Sequence, residues 1–305
     1  SEGEVISVAA SGGIVVRELR KFYDHPVFDS LSGQSTWKGE MRMQKNLATF
    51  VIESDLAGIA SSLPEPFNKS ARARWPLRFE KGEVAQSGGG DRLRLVLRDV
   101  AEMELLLRQK GSDLLIERGV LSVGTPPPEM PARGITAAVR MARVDGDFWR
   151  RLLAGGRSSQ GASSFPLAKI SLNTPDLRLF GRAFHQVELE ALRQGEGWRI
   201  GLSAAEASGE LSWNSAGKGI LKADFKRLAI PSGESGGTLV PDGADESLPG
   251  LDIRVADFSL GGKPLGELKA VAHNQGGTWV LDNLQLTNPD GSLKGKGEWA
   301  TTGGH

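Results

Sequence analysis

Two carboxylate pairs and four histidines are the side chains whose types could do acid–base chemistry in this sequence. Asp145/Asp147 and Glu102/Glu104 could act as the acid and base of a glycosidase, which places two carboxyls across the scissile bond. Both pairs have i, i+2 spacing, which on a strand sets them side by side on one solvated face. His185 and His273 stand among polar neighbours in strand-like segments and read as surface histidines. His25 precedes a proline and His305 is terminal. No His-x-x-x-His or His-Glu-x-x-His occurs, and there is no cysteine, which excludes a thiolate zinc site and a disulfide scaffold. Asp242, Asp245 and Glu246 do not follow the calcium-loop spacing. No Gly-x-Ser-x-Gly occurs. Gly88-Gly89-Gly90 leads into strand-like sequence rather than a helix, so it is a turn and not a phosphate cradle. The chemistry-bearing residues thus point to no catalytic site, no metal and no cofactor.

The elements that carry these residues are short strands. The chain has 305 residues with 37 basic and 37 acidic side chains, a neutral balance that argues against nucleic acid as a partner. Forty glycines and 15 prolines suit many turns. No run of about 18 apolar residues is present to span a bilayer as a helix. The chain begins at Ser1 without methionine and ends Thr-Thr-Gly-Gly-His, which reads as a piece of a longer protein.

Pro175–Trp213 organises the rest. Leu177 and Leu179, and then Val187, Leu189 and Ala191, alternate with polar residues, the period of a strand with one apolar face. Gln194-Gly195-Glu196-Gly197 then turns the chain into Trp198-Arg199-Ile200. The unit returns at Leu251–Trp299 with a constant offset of 81: Leu179 matches Leu260, Gly181 Gly262, Arg182 Lys263 and Trp198 Trp279. The closing Trp213 and Trp299 are 86 apart, so the second copy carries about five extra residues near Asn288–Gly291. Two β-meander repeats, 175–213 and 251–299, are therefore expected.

Earlier segments fit the same class. Ser1–Ala10 reads as the end of a strand. Val15, Val16, Leu19, Phe22 and Tyr23 share a helical face, which predicts a helix at about 14–24 ended by His25-Pro26. Met41–Glu53 is a strand pair. Residues 56–78 form a proline-rich connector containing Arg72, Arg74 and Arg78, read either as a solvated link or as a contact for anionic headgroups. Leu93, Leu95 and Leu97 alternate with arginines. Thr125–Pro131 gives the best internal boundary, dividing the chain into 1–124 and 125–305. Asp147 is a plausible N-cap for a short helix at 146–154. Ser232–Gly250 is low in hydrophobicity and reads as a linker.

Gly58-Ile-Ala-Ser-Ser-Leu-Pro-Glu-Pro-Phe-Asn-Lys69, followed by Trp75-Pro-Leu-Arg78, resembles the Gly-Leu-Ala-Ser-x-Leu-Pro-x-Pro-x-x-Lys…Pro-Leu-Arg signature of YhdP-type proteins. These belong to the AsmA-like group and are relatives of TamB. Leu31-Ser32-Gly33…Trp37, Val144-Asp145…Phe148-Trp149-Arg150 and Leu260…Trp279…Pro289-Asp290-Gly291…Trp299 fit it as well. Asn68 and Arg72–Arg74 fall outside the pattern. The resemblance covers nearly the whole chain. It implies a periplasmic segment of a protein anchored in the bacterial inner membrane. Its long twisted antiparallel sheet would fold into a groove that conducts phospholipids toward the outer membrane, with no catalytic residues.

The expected fold is therefore mainly β: a long antiparallel sheet of repeated meanders with a few short helices, forming a groove. Its expected lining is Leu93, Leu95, Leu97, Leu177, Leu179, Val187, Leu189, Leu268, Ala270 and Ala272. Its expected partners are phospholipid acyl chains and envelope proteins. The same stripes could instead face a second sheet and form a closed core. A carbohydrate- or protein-binding module that uses tryptophans or open sheet edges is the alternative function.

Overall fold

The computed structural model describes residues 5–23, 25–44, 47–84, 90–110, 113–155, 165–214, 219–230, 250–275 and 278–300. Among these residues the chain is mainly β, with nineteen strands and a few short helices. It divides into two compact units: residues 1–141 with 148–168, and residues 142–147 with 169–305.

The first unit opens with β1 (Val5–Val15), a one-turn helix α1 (Val16–Leu19) and a 3₁₀ turn (Pro26–Ser30). The helix expected at 14–24 is thus cut to one turn. Ile14 and Val15 continue the strand because they pair with Ser35 and Gln34, and β-branched residues favour that state; Asp24 lies outside the described residues. Then follow β2 (Leu31–Gln44), β3 (Leu47–Ser54), β4 (Ile59–Ser61), β5 (Leu77–Val84), β6 (Gly90–Leu97), β7 (Ala101–Lys110), β8 (Asp113–Val123) and β9 (Gly134–Arg140). Hairpin pairing is antiparallel throughout, except that β8 and β9 run parallel. That exception falls at the proline-rich connection, because a parallel neighbour cannot be reached by a tight turn.

The second unit contains β10 (Val144–Asp145), which leads into the helix α2 (Gly146–Gly155); from Phe148 onward the helix falls within the first unit. After β11 (Leu167–Leu179) come β12 (Arg182–Gln194), β13 (Gly197–Ser203), β14 (Ala207–Asn214) and β15 (Ile220–Ile230). The last meander is β16 (Gly250–Leu260), β17 (Lys263–Gln275), β18 (Thr278–Asn288) and β19 (Gly291–Ala300). Both meanders are entered by a parallel step: β10 against β11, and β15 against β16. The sheet is therefore mixed, where an antiparallel sheet was expected. The alternation of apolar residues is the same in either direction, so it carries no information on strand polarity.

The repeat is visible in the geometry. Phe180-Gly181 and Gly261-Gly262 close equivalent hairpins, each residue with positive φ, the signature of a two-residue turn that matches strand twist. Trp198 pairs with Trp213, and Trp279 pairs with Trp299. The extra residues of the second copy lengthen β18 to 11 residues against 7 in β13.

Candidate functional site

Register sets the apolar residues of each unit in continuous rows. In the first unit Ala10, Gly39, Ile52, Phe79, Leu95, Met103, Leu121 and Ala137 are successive cross-strand neighbours over eight strands. Leu93 and Leu97 flank Leu95 on the same face, and all three are half-buried. Leu105, Leu107 and Ile135 form a buried cluster at one end of this face, against which Leu93 and Met103 pack. From there the face opens toward β1, where Ile6 and Val8 are 53% and 48% exposed.

The opposite face of the same strands is charged and internally neutralised. Arg94 donates to Glu102 at 2.7 Å and Arg92 to Glu104 at 2.9 Å. Glu102 and Glu104, one of the two carboxylate pairs weighed as glycosidase acids, are thus ion-paired to arginine. Arg78 is held between Glu53 and Glu80, beside a cleft of about 580 Å³ that Asp55, Arg94 and Arg98 also line. Arg74 lies 3.7 Å from Asp55, and Arg72 is exposed. The three arginines of the connector therefore differ: Arg78 is saturated and Arg72 is open to solvent.

The second unit repeats the design. Leu172, Leu189, Leu202, Gly209, Phe225, Val255, Leu268, Leu286 and Leu293 are cross-strand neighbours over nine strands. Val187 and Ala272 are buried, while Leu189, Leu268 and Ala270 are half-buried. The core lies at Ala207, Ala223, Phe225, Val255 and Phe258, with Leu268 packed against it. Leu177 and Leu179 are placed differently. Their methyls lie close under Gly146, where a Cβ would meet Leu179 Cδ1 at 3.1 Å and Leu177 Cδ1 at 3.4 Å.

A change of side-chain parity explains how both stripes of β11 and β12 stay sheltered. In a regular ladder Leu177 and Val187 would project to opposite faces. Gln186 has φ +53° at the break. The sheltered residues switch from Thr174 to Leu177 across Pro175-Asp176. The second copy switches from Val255 to Phe258, where the β16–β17 register shifts opposite Gly266. Thr174 and Val255, like Leu177 and Phe258, are 81 positions apart, so the twist device belongs to the repeat. Period-two reading of the sequence misses it, because it assumes uninterrupted strands.

The signature stretch folds into a tight structure beside β2. Ile59–Ser61 pairs with Leu31–Gly33. Gly58 has φ +92°, and a Cβ there would meet Gln34 O at 2.1 Å, so only glycine permits this approach. Lys69 is 5% exposed, and its Nζ donates to Leu56 O and Ile59 O at 2.7 Å and to Ser70 O at 3.2 Å. Burial pulls its pKa below the usual lysine value, against the opposing pull of Asp55. The ammonium staples a loop whose backbone also closes through Ser61 N to Lys69 O and Gly58 N to Ala71 O. Phe67 from this loop meets Trp149 edge-on at 5.8 Å. These residues act on architecture, and sequence reading saw the motif without the cage.

His185 and His273 are engaged in the sheet, His25 Nδ1 accepts from Val27 N at the 3₁₀ turn, and His305 lies outside the described residues. His185 Nδ1 lies 2.5 Å from Glu206 Oε1, and its backbone N–H donates to Oε2 at 2.8 Å. This hydrogen bond raises the His185 pKa. Burial pushes Glu206 up, but the His185 contacts outweigh it and hold the carboxyl below its usual value. His273 Nδ1 lies 2.7 Å from Asp282. Asp147, expected as an N-cap, accepts from Phe180 N at 2.8 Å and Gly181 N at 2.9 Å and so pins the β11–β12 turn. No group of three or more metal-ligating side chains occurs among the described residues, and no helix among them is long and apolar enough to cross a membrane.

No curated protein matches the chain, and no solved structure does. The family model described as YhdP protein matches residues 1–305. The chain, with its glycine–lysine cage and repeated tryptophan meanders, belongs to the YhdP family.

Proposed function

We propose that this chain is a non-catalytic segment of a bacterial envelope protein, and that its apolar sheet faces conduct the acyl chains of phospholipids. The observation that carries the reading is the register: each unit aligns apolar side chains strand after strand, and most of them are half-buried. A closed sandwich would bury both inner faces between packed sheets. A face of this kind offers an acyl chain the same environment as a bilayer. Each methylene taken from water gains ~0.8 kcal/mol, so a chain of about fifteen gains roughly 12 kcal/mol. Passage from one row to the next changes this little, which suits conduction better than tight binding. Family membership supports placement in the envelope, with anchorage in the inner membrane, a periplasmic location and movement toward the outer membrane as the finer reading. Envelope proteins at either membrane would complete the route. Arg72 and Arg74 are the connector arginines free enough to meet an anionic headgroup.

The test is charge placed on the face. Leu95→Asp and Leu189→Glu should abolish uptake of a fluorescent phospholipid while leaving the far-ultraviolet spectrum unchanged. Loss of fold without a specific loss of uptake would make these residues core and overturn the reading.

A further inference from the structure

The cleft of about 580 Å³ in the first unit lies where β3, β5 and β6 meet their turns, and its charged lining is Glu53, Asp55, Glu80, Arg78, Arg94 and Arg98. Four of these side chains are held by ion pairs along the strands. Arg78 bridges Glu53 and Glu80, and Arg94 donates twice to Glu102 Oε1. Asp55 and Arg98 differ. Asp55 meets Arg74 at 3.7 Å, and Arg98 meets Asp99 at 2.8 Å. Both of those partners stand outside the cleft lining with side chains 79% exposed, where an ion pair contributes little. The cleft therefore offers one carboxylate and one guanidinium to a ligand.

The backbone holds Arg98 in this place under strain. It sits in the β6–β7 turn with φ +51°, a region that non-glycine residues occupy sparsely and that concentrates at ligand sites. Its amide donates to Pro76 O at 2.7 Å, and its guanidinium lies 5.9 Å from the centre of the Trp75 ring. The Trp75 amide donates to Asp55 O at 2.7 Å. Asp55, Pro76 and Arg98 thus extend the Ser54–Leu77–Leu97 row by one place. That sets Asp55 and Arg98 two strand spacings apart, about 10 Å along the row.

We propose that this cleft binds a phosphate–ammonium zwitterion, the chemistry of a phosphoethanolamine headgroup. Arg98 takes the phosphate, whose oxygens suit a planar fork of donors, and Asp55 takes the ammonium. Three acids and three bases leave the lining neutral, so a simple anion gains Arg98 but also meets three carboxylates. A lipid as the source of the ligand rests on the function proposed above; recognition of the zwitterion does not.

Titration of the full chain with O-phosphoethanolamine and with dihexanoyl phosphatidylethanolamine tests it, followed at the Trp75 indole N–H resonance. Both should shift that resonance with saturation. A lipid that binds about tenfold tighter or more is the natural source, and equal or weaker affinity makes the free headgroup the ligand. Inorganic phosphate and dihexanoyl phosphatidylglycerol should bind about tenfold more weakly than the matching zwitterion. Arg98→Gly relieves the backbone angle, so its melting temperature should hold or rise while O-phosphoethanolamine binding falls about tenfold or more. Asp55→Asn keeps an oxygen for the Ala57 amide and should erase the preference for phosphatidylethanolamine over phosphatidylglycerol. Leu95→Asp, on the acyl rows, should leave O-phosphoethanolamine binding unchanged, so the two readings can fail separately. An unmoved Trp75 resonance with O-phosphoethanolamine overturns the proposal. So does phosphate that binds as tightly, or an Arg98→Gly or Asp55→Asn variant that behaves as the parent.

Discussion

Replacing Lys69 with methionine should loosen the first unit by about 3 kcal/mol. The side chain is 5% exposed, and its three contacts end on the carbonyl oxygens of Leu56, Ile59 and Ser70. Hydrogen bonds to a charged group contribute about 1.5–3 kcal/mol each. Against them stands the desolvation of the ammonium, which methionine avoids and which amounts to several kcal/mol. Taking about 1 kcal/mol net for each carbonyl left short gives the 3 kcal/mol figure. For a unit of this size that is a fall of roughly 6–12 °C in melting temperature. Hydrogen exchange offers the sharper assay. The amides of Gly58, Ser61 and Lys69, which bond within the caged loop, should lose protection first, ahead of β6 and β7. Lys69→Arg should not rescue, because a planar fork does not fit a cage built around a compact ammonium. A methionine variant within ~0.5 kcal/mol of the parent, with those amides still protected, would refute the cage as a stabilising element.

Three further outcomes follow from the same reasoning. Gly58→Ala forces a Cβ into Gln34 O at 2.1 Å and requires a strained φ, so it should separate β4 from β2 and cost about 1–3 kcal/mol, read by urea unfolding. Asp147→Ala leaves the amides of Phe180 and Gly181 without their acceptor; faster exchange at those two amides and a loss of about 1–2 kcal/mol are expected, and unchanged exchange would contradict the assignment. The His185–Glu206 pair should make stability pH-dependent. His185 has a raised folded pKa, so its contribution is complete below its ordinary 6.5 and fades as pH rises through the folded value. Glu206 has a lowered one, so its contribution is complete above its ordinary 4.5 and fades as pH falls through the folded value. The pair therefore stabilises most between those pH values, and His185→Gln should flatten the melting-temperature profile there; an identical profile in the variant would show the pair to be idle.

The meander repeat was legible in the sequence because its markers are chemical: paired tryptophans, a glycine turn and a basic residue after it, all at one spacing. The short helix at Gly146 was legible from its apolar side, and the Leu93–Leu97 stripe from its alternation. Other features depend on partners that alternation does not encode. Ile14 and Val15 have a helical phase but are taken into β1 by Gln34 and Ser35. The parallel steps at β9, β10 and β16 follow from connection length and not from strand composition. The parity break at Gln186 depends on one backbone angle, and no residue type at that position announces it. Lys69 is legible in the sequence only as the last residue of the Gly58–Lys69 motif. Its cage comes from carbonyls up to 13 residues away in the chain.

Native mass spectrometry of the purified chain, followed by lipid extraction, tests the central claim most directly. The account predicts phospholipid bound to the wild-type protein and lost from the Leu95→Asp and Leu189→Glu variants, with their fold intact. A protein that carries no phospholipid and takes up none when it is offered would contradict it, and the apolar rows would then serve only as core.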